Sequence, residues 1–199
     1  TTRLIVPEDA FAFVGPLPKD FEPLGVTCGA TAFDVPGYDR GSTLEDDLVW
    51  FGGGAVVPAA RAGDVSTSAR LRDAASDRFS PADAAAMLRY MRDVLARRPG
   101  CRLATFNGVS FDLRLLAAIA APEDEEAAVV ARNLAWWCVD PCLQLQCERG
   151  FPVGLAAMCA GMGVAGKSGE GADAPVEWAS GDPRRRAAVL AYCFEDVRA

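Results

Sequence analysis

Two short acidic motifs contain the residues whose types and spacing could do chemistry. Residues 106–112 read FNGVSFD and place Asn107 and Asp112 on either side of a turn. Residues 192–196 read YCFED and place Tyr192 and Asp196 four positions apart. Because helical residues at i and i+4 lie on one face, we expect the phenol and the carboxylate of the second motif to lie side by side.

The residue types in these motifs favour chemistry with a hard divalent metal ion. The sequence contains no histidine, which excludes a histidine general base and histidine-ligated zinc. Carboxylates without histidine partners suit Mg²⁺ or Mn²⁺. If Asp112 and Asp196 converge, two such ions about 4 Å apart could hold the attacking and leaving oxygens of a phosphodiester. The Tyr192 hydroxyl could orient the attacking water. The simpler alternative is that Ser110 or Asp112 only caps a helix.

The elements around these motifs must position them. We expect a strand over 102–106 and a helix over 111–121, so that Asp112 lies at the carboxyl end of a strand, where ligands bind in open α/β sheets. The second motif lies in a predicted helix over 183–198, which begins with the cap signature Asp182-Pro183.

The remaining pattern predicts an α/β fold. Apolar runs at 10–15, 24–33 and 48–53 read as an antiparallel three-strand meander, and WWCVD at 136–140 reads as a fifth strand. Helices are expected from Pro81 to about 97, over about 126–134, and over 141–148 and 153–161, whereas 58–80 and 163–182 read as irregular. This order predicts one domain over 1–199, with a mixed five-stranded sheet, meander plus parallel strands, and helices on both faces.

Both motifs resemble those of a known enzyme family. FNGVSFD resembles the second motif, Asn-x-x-x-Phe-Asp, of the DEDD 3′–5′ exonucleases, and YCFED resembles the third motif, Tyr-x-x-x-Asp, of their tyrosine subclass. The sequence from about residue 10 to 199 is similar to the proofreading exonuclease domain of family B DNA polymerases. The resemblance implies a ribonuclease H-like fold and a metal-dependent 3′–5′ exonuclease that acts on single-stranded nucleic-acid 3′ ends.

The resemblance also implies a role for each motif residue. Asp112 and Asp196 would bind Mg²⁺ or Mn²⁺, and Tyr192 would position water. Asn107 would hold the loop or contact the scissile region.

The first motif of the family departs from its pattern in this sequence. The family has Asp-x-Glu on the first strand, where Gly15 and Leu17 stand here. FDVP at 33–36 offers Asp34 but has Pro36 in place of the glutamate. Either Asp140, at the end of the predicted fifth strand, completes the metal site, or the site is degenerate. We therefore expect weakened exonuclease activity; the alternative is an inactive relative that binds nucleic acid or a protein partner.

Other functional classes fit the sequence less well. The net charge of −7 argues against a general DNA-coating protein. GMGVAGKS at 161–168 matches the phosphate-loop pattern, but a helix precedes it and a Gly-rich loop follows it. We therefore interpret Lys167 as a solvated loop lysine, with a contact to a phosphate backbone as the alternative. Residues 184–186, all arginine, read as a solvated surface run or as a contact to a nucleic-acid backbone. Trp136 and Trp137 read as strand residues, with base stacking as the alternative.

The cysteines and the hydropathy pattern bear on the compartment. Seven cysteines are present, an odd number, and the spacing of Cys138, Cys142 and Cys147 is not that of a thiolate metal site. The first residues do not read as a signal peptide, and no apolar run approaches the ~18 residues of a membrane span. We therefore expect a reduced, cytoplasmic protein that does not cross a membrane.

Overall fold

Four short strands form one sheet. The computed structural model describes residues 2–5, 28–32, 47–52, 55–58, 78–164 and 173–198. The strands lie in chain order, and each adjacent pair is antiparallel. They are β1 (Thr2–Ile5), β2 (Cys28–Thr31), β3 (Leu48–Phe51) and β4 (Ala55–Pro58).

Most of the described residues lie in helices, several of which begin at side-chain caps. The first begins at a capping box, in which the Ser80 hydroxyl accepts from the Asp83 backbone N–H and the Asp83 carboxylate accepts from the Ser80 N–H. The helices are α1 (Pro81–Arg97), α2 (Asp112–Ala120), α3 (Glu125–Trp137), α4 (Pro141–Arg149), α5 (Leu155–Met162), α6 (Ala174–Ala179) and α7 (Pro183–Arg198).

The sheet lies between two helical layers. Val49 packs into an apolar cluster with Leu190 and Phe194 of α7. The neighbouring side chains on β3, Leu48 and Trp50, pack into a second cluster with α1, α2 and α3. Because successive strand residues point to opposite faces, β3 supplies both clusters.

Helices α1, α2 and α3 pack against one another beside the sheet. Asp124 begins α3 by accepting a hydrogen bond from the Ala127 backbone N–H at 2.9 Å, and it also pairs with Arg89 of α1. The Ala127 amide hydrogen bond is the main cause that holds the pKa of Asp124 below its usual range. This carboxylate therefore both caps α3 and ties it to α1.

The predicted five-stranded mixed sheet of the ribonuclease H-like type is wrong. The described sheet has four strands, all antiparallel, and the described chain is mainly helical. Residues 102–106 and 136–140 do not join it as strands; they meet only at an isolated parallel bridge between Ala104 and Val139. In that bridge the Thr105 N–H donates to the Val139 carbonyl at 2.9 Å, and the Val139 N–H donates to the Leu103 carbonyl at 2.8 Å.

The fifth strand fails because helix α3 continues through its first residues. Trp136 and Trp137 form the end of α3 and are 81% and 75% exposed, so they do not alternate between a core and a sheet face. Tryptophan favours strands mainly where it can pack on a half-buried sheet surface. Here the buried stripe of α3, ending at Leu134, fixes the helix instead.

Several local predictions are confirmed and others are not. β2 and β3 lie within the predicted strands 24–33 and 48–53, and α1, α2, α4, α5 and α7 occupy the predicted helical segments. The segment 163–182, expected to be a loop, contains α6. β1 and β4 were not expected from the pattern. The predicted strand at 10–15 lies outside the described residues.

Candidate functional site

A single carboxylate organises the FNGVSFD segment. Asp140 accepts hydrogen bonds from the Thr105 hydroxyl at 3.0 Å and from the backbone N–H groups of Asn107 at 2.9 Å and Val109 at 3.0 Å. It also accepts from the Leu143 N–H at 3.2 Å, which makes it the N-cap of α4. Asp140 is 8% exposed, so these four donors take the place of water.

The Asn-Gly pair provides a tight turn that this carboxylate holds. Asn107 has φ of 65°, in the left-handed region that asparagine tolerates better than most residues. A Cβ at Gly108 would lie 2.6 Å from the Cβ of Thr105, so only glycine fits there without displacement. The turn leads into α2 through hydrogen bonds from Phe111 N–H to the Asn107 carbonyl at 3.0 Å and from Leu113 N–H to the Gly108 carbonyl at 2.9 Å.

Asp112 is the first residue of α2 and is 6% exposed. The residue at the cap position is Phe111, which makes no side-chain cap hydrogen bond, so neither Ser110 nor Asp112 is the N-cap. A carboxylate in the first turn still interacts favourably with the positive end of the helix dipole. The predicted position of Asp112 in the first turn of a helix is therefore confirmed, and the structure adds that the residue is buried.

Tyr192 and Asp196 lie on α7, which packs against β1, β2 and β3. Asp196 is 4% exposed. The Tyr192 hydroxyl oxygen is also shielded from solvent, and no described residue forms a hydrogen bond with it. A buried hydroxyl that makes no hydrogen bond destabilises the fold. A ligand or a bound water that forms a hydrogen bond with this hydroxyl would remove that cost.

A complete metal site is not found among the described residues. They contain no group of three or more histidine, cysteine, aspartate or glutamate side chains that could hold a metal ion. Asp140, the predicted additional ligand, already accepts four hydrogen bonds. Asp112 and Asp196 lie on two helices that both contact β1. The positions considered for the first motif lie outside the described residues: Gly15, Leu17, Asp34 and Pro36.

Two thiols lie close to the Asp140 anchor. Burial raises the pKa of Cys138 and of Cys142, and the nearby Asp140 carboxylate raises both further. The Cys138 sulfur lies 3.9 Å from the Thr105 hydroxyl oxygen. Since the thiolate is the nucleophile, the raised pKa makes each of these thiols less reactive near neutral pH than an ordinary cysteine.

The arginine run is not uniformly a surface feature. Arg186 is buried, and its guanidinium carbon lies over the Trp178 ring, 5.2 Å from the ring centroid. Its Nε donates a hydrogen bond to the Trp178 carbonyl at 3.0 Å. Arg185 is exposed and lies 3.5 Å from Glu177. Of the three arginines, Arg186 therefore stabilises the packing of α6 on α7, and the interpretation of 184–186 as a solvated run is wrong for this residue. Lys167 lies outside the described residues.

Comparison with known proteins does not name a family. No protein-family model matches the sequence, and no curated protein or solved structure matches it either. Across the part of the chain that the structure describes, no helix is both long and apolar enough to span a bilayer. Any function must therefore be argued from the residues themselves.

The sequence pattern did not indicate the structural roles of Asp140 and Thr105. Asp140-Pro141 has the same cap signature as Asp182-Pro183, and this signature could have identified Asp140 as an N-cap. No sequence signal identifies the hydrogen bond from Thr105, because it joins residues distant in the chain.

Proposed function

We propose that this protein is a metal-dependent 3′–5′ exonuclease-like protein with weakened activity on single-stranded nucleic-acid 3′ ends. The observation that carries the proposal is the buried Tyr192 hydroxyl without a described partner, one helical turn before the buried Asp196. In the exonuclease motif that YCFED resembles, these are the positions of the water-orienting phenol and a metal-binding carboxylate.

Each motif residue has a role in this proposal. Asp112 and Asp196 would hold Mg²⁺ or Mn²⁺, which supplies positive charge to activate water and to stabilise the developing charge on phosphate. The Tyr192 hydroxyl would form one hydrogen bond with the attacking water, either as the donor or as the acceptor. The Asn107 turn, fixed by Asp140, would sit at the start of α2 and set the position of Asp112.

Two features support weakened activity rather than full activity. Carboxylate charge is the main contribution that holds Mg²⁺, and Gly15 and Leu17 stand where the family has acids. Asp112 and Asp196 are also almost fully buried, which restricts the approach of a nucleic-acid end. Enzymes accelerate phosphoryl transfer mainly by positioning the reactants and by stabilising charge, so the two features weaken both sources of catalysis.

The second candidate is a protein without catalysis that binds nucleic acid or a protein partner. It is favoured by the finding that the described residues contain no three-ligand group and that Asp140 serves the fold. For both candidates we propose a cytoplasmic location, which the odd number of cysteines and the six described free thiols support.

The test is digestion of 3′-labelled and 5′-labelled single-stranded DNA and RNA with Mg²⁺ or Mn²⁺. We expect slow loss of 3′ nucleotides by the wild type, and none with Asp196→Asn or after chelation of the metal. Tyr192→Phe should lower the rate by about tenfold or more. Because the buried Tyr192 hydroxyl has no described hydrogen-bond partner, this substitution should not lower thermal stability.

A matched control is Glu195→Gln, which changes an exposed carboxylate on the same helix. It should digest like the wild type. Digestion that survives Asp112→Asn and Asp196→Asn would reject the proposed site. Binding of a labelled oligonucleotide without digestion, measured by fluorescence anisotropy, would favour the second candidate.

A further inference from the structure

A pocket of about 400 Å³ opens between α1, α3 and the segment that follows α1, apart from the residues of the proposed exonuclease site. Its volume lies in the range of small-molecule sites. Its apolar wall consists of Leu95, Leu103, Val130 and Leu134. None of the four residues given a role in the proposed hydrolysis, Asn107, Asp112, Tyr192 and Asp196, lines it, so a function here does not depend on that proposal.

The polar residues of this pocket are mainly cationic. Arg92 and Arg102 both line it. Arg92 already forms ion pairs with two carboxylates. Its Nε lies 2.8 Å from Asp93 Oδ1, and its Nη1 lies 3.8 Å from Glu126 Oε1. Among the residues that the structure describes, none forms an ion pair or hydrogen bond with Arg102, which is exposed. Arg102 is therefore the guanidinium that can pair with an incoming anion.

The indole of Trp137 gives the pocket an aromatic wall. Trp137 lines the pocket and is 75% exposed, although a tryptophan that only supports the fold is usually much more buried. An exposed indole beside aliphatic side chains can stack on a flat apolar group. The Asn133 amide also lines the pocket and offers both a donor and an acceptor.

We propose that this pocket binds a small planar aromatic molecule with one anionic group, such as an aromatic carboxylate or sulfonate. The ring system contacts Trp137 and the apolar wall, and the anionic group pairs with Arg102. Because the protein carries a net charge of −7, its overall charge does not attract an anion. Binding of an anionic ligand therefore depends on the local positive charge of Arg102. Asp93 and Glu126, which face Arg92, disfavour a second anionic group on the ligand.

The test uses two probes with similar ring systems, the anion 8-anilinonaphthalene-1-sulfonate and the neutral N-phenyl-1-naphthylamine. We expect saturable binding of the anion, at one site per chain, with the neutral probe bound at least about tenfold more weakly. Arg102→Ala should weaken binding of the anion about tenfold and leave the neutral probe unchanged. The matched control, Arg97→Ala, removes an exposed arginine of α1 that does not line the pocket, and it should change neither affinity.

Cys101 provides a second readout that is independent of probe fluorescence. Its exposed thiol lines the pocket, whereas the exposed thiol of Cys147 does not. The bound anion should slow alkylation of Cys101 and leave alkylation of Cys147 unchanged. Equal affinity of the two probes, equal affinity of wild type and Arg102→Ala for the anion, or no protection of Cys101 would each overturn the proposal.

Discussion

The surroundings of single side chains differ sharply between two buried polar groups of this protein. The Asp140 carboxylate accepts four hydrogen bonds from residues that it holds in place. The Tyr192 hydroxyl, by contrast, has no hydrogen bond with a described residue. Among the thiols, Cys138 has a raised pKa because it is partly desolvated, whereas Cys147 is exposed.

At this scale we predict that the midpoint of Cys138 alkylation lies at a higher pH than the ordinary pKa of a cysteine thiol. The nucleophile is the thiolate, so a raised pKa moves the reaction to higher pH. The alkylation rate of Cys138 should still rise with pH above 9.0, the ordinary pKa of a cysteine thiol. Desolvation and the Asp140 carboxylate both oppose the negative charge of the Cys138 thiolate. Peptide mass spectrometry after short iodoacetamide pulses at a series of pH values gives each profile.

Limited access lowers the rate of Cys138 at every pH without moving the midpoint, so the midpoint is the informative quantity. A midpoint for Cys138 at or below pH 9.0 would contradict the prediction. Cys142, whose pKa is also raised by burial, serves as a second buried thiol in the same experiment.

At the scale of elements, Asp140 joins a turn and a helix that are far apart in the chain. It caps α4 through Leu143 and fixes the turn before α2 through Asn107 and Val109. The turn has little freedom to adjust, because Gly108 lies directly against Thr105. Loss of this one carboxylate should therefore affect both elements together.

We predict that Asp140→Ala lowers the free energy of unfolding by about 3 kcal/mol, because it leaves buried donors without an acceptor. The comparison variant is Asp182→Ala, which removes an exposed side chain that accepts from the Arg184 N–H at 2.8 Å. An exposed cap should cost only about 1 kcal/mol. Urea unfolding of both variants measures the difference, and similar losses would show that Asp140 is only another helix cap.

At the scale of the whole molecule, the sheet joins two apolar clusters. Val49 belongs to the cluster of α6 and α7, and Leu48 and Trp50 pack with the cluster of α1, α2 and α3. The Trp50 ring also contacts the Tyr90 ring, with centroids 5.3 Å apart. Because the same short strand contributes to both clusters, disorder in one removes packing surface from the other.

We predict that Leu190→Ala and Leu116→Ala each destabilise the whole described fold by about 2–5 kcal/mol. Both side chains are fully buried, one in each cluster. Thermal unfolding followed by far-UV circular dichroism and by tryptophan fluorescence should give one coincident transition for each variant. Two separate transitions, of which each substitution shifts only one, would mean that the clusters unfold independently.

The sequence by itself determined the features that depend on neighbouring residues. Ser80-Pro81 and Asp182-Pro183 predicted where α1 and α7 begin, because capping and the fixed φ of proline act within one turn. The strand pattern located β2 and β3 in the same way. The predicted helix over 183–198 contains both Tyr192 and Asp196, and their spacing of four residues places them on one face of α7.

Only the tertiary structure decided which surfaces pack together and which charged side chains form structural contacts. Residues 102–106 have strand character, but they make a single bridge to Val139, since sheet pairing depends on partners distant in the chain. Trp136 extends a helix because the buried stripe of α3 outweighs its strand preference. Asp140 became a structural anchor and Arg186 a buried stacking partner through contacts that form when separate elements pack. Burial is a property of that packing, so the residues next to an acid in the sequence do not reveal whether the fold encloses it.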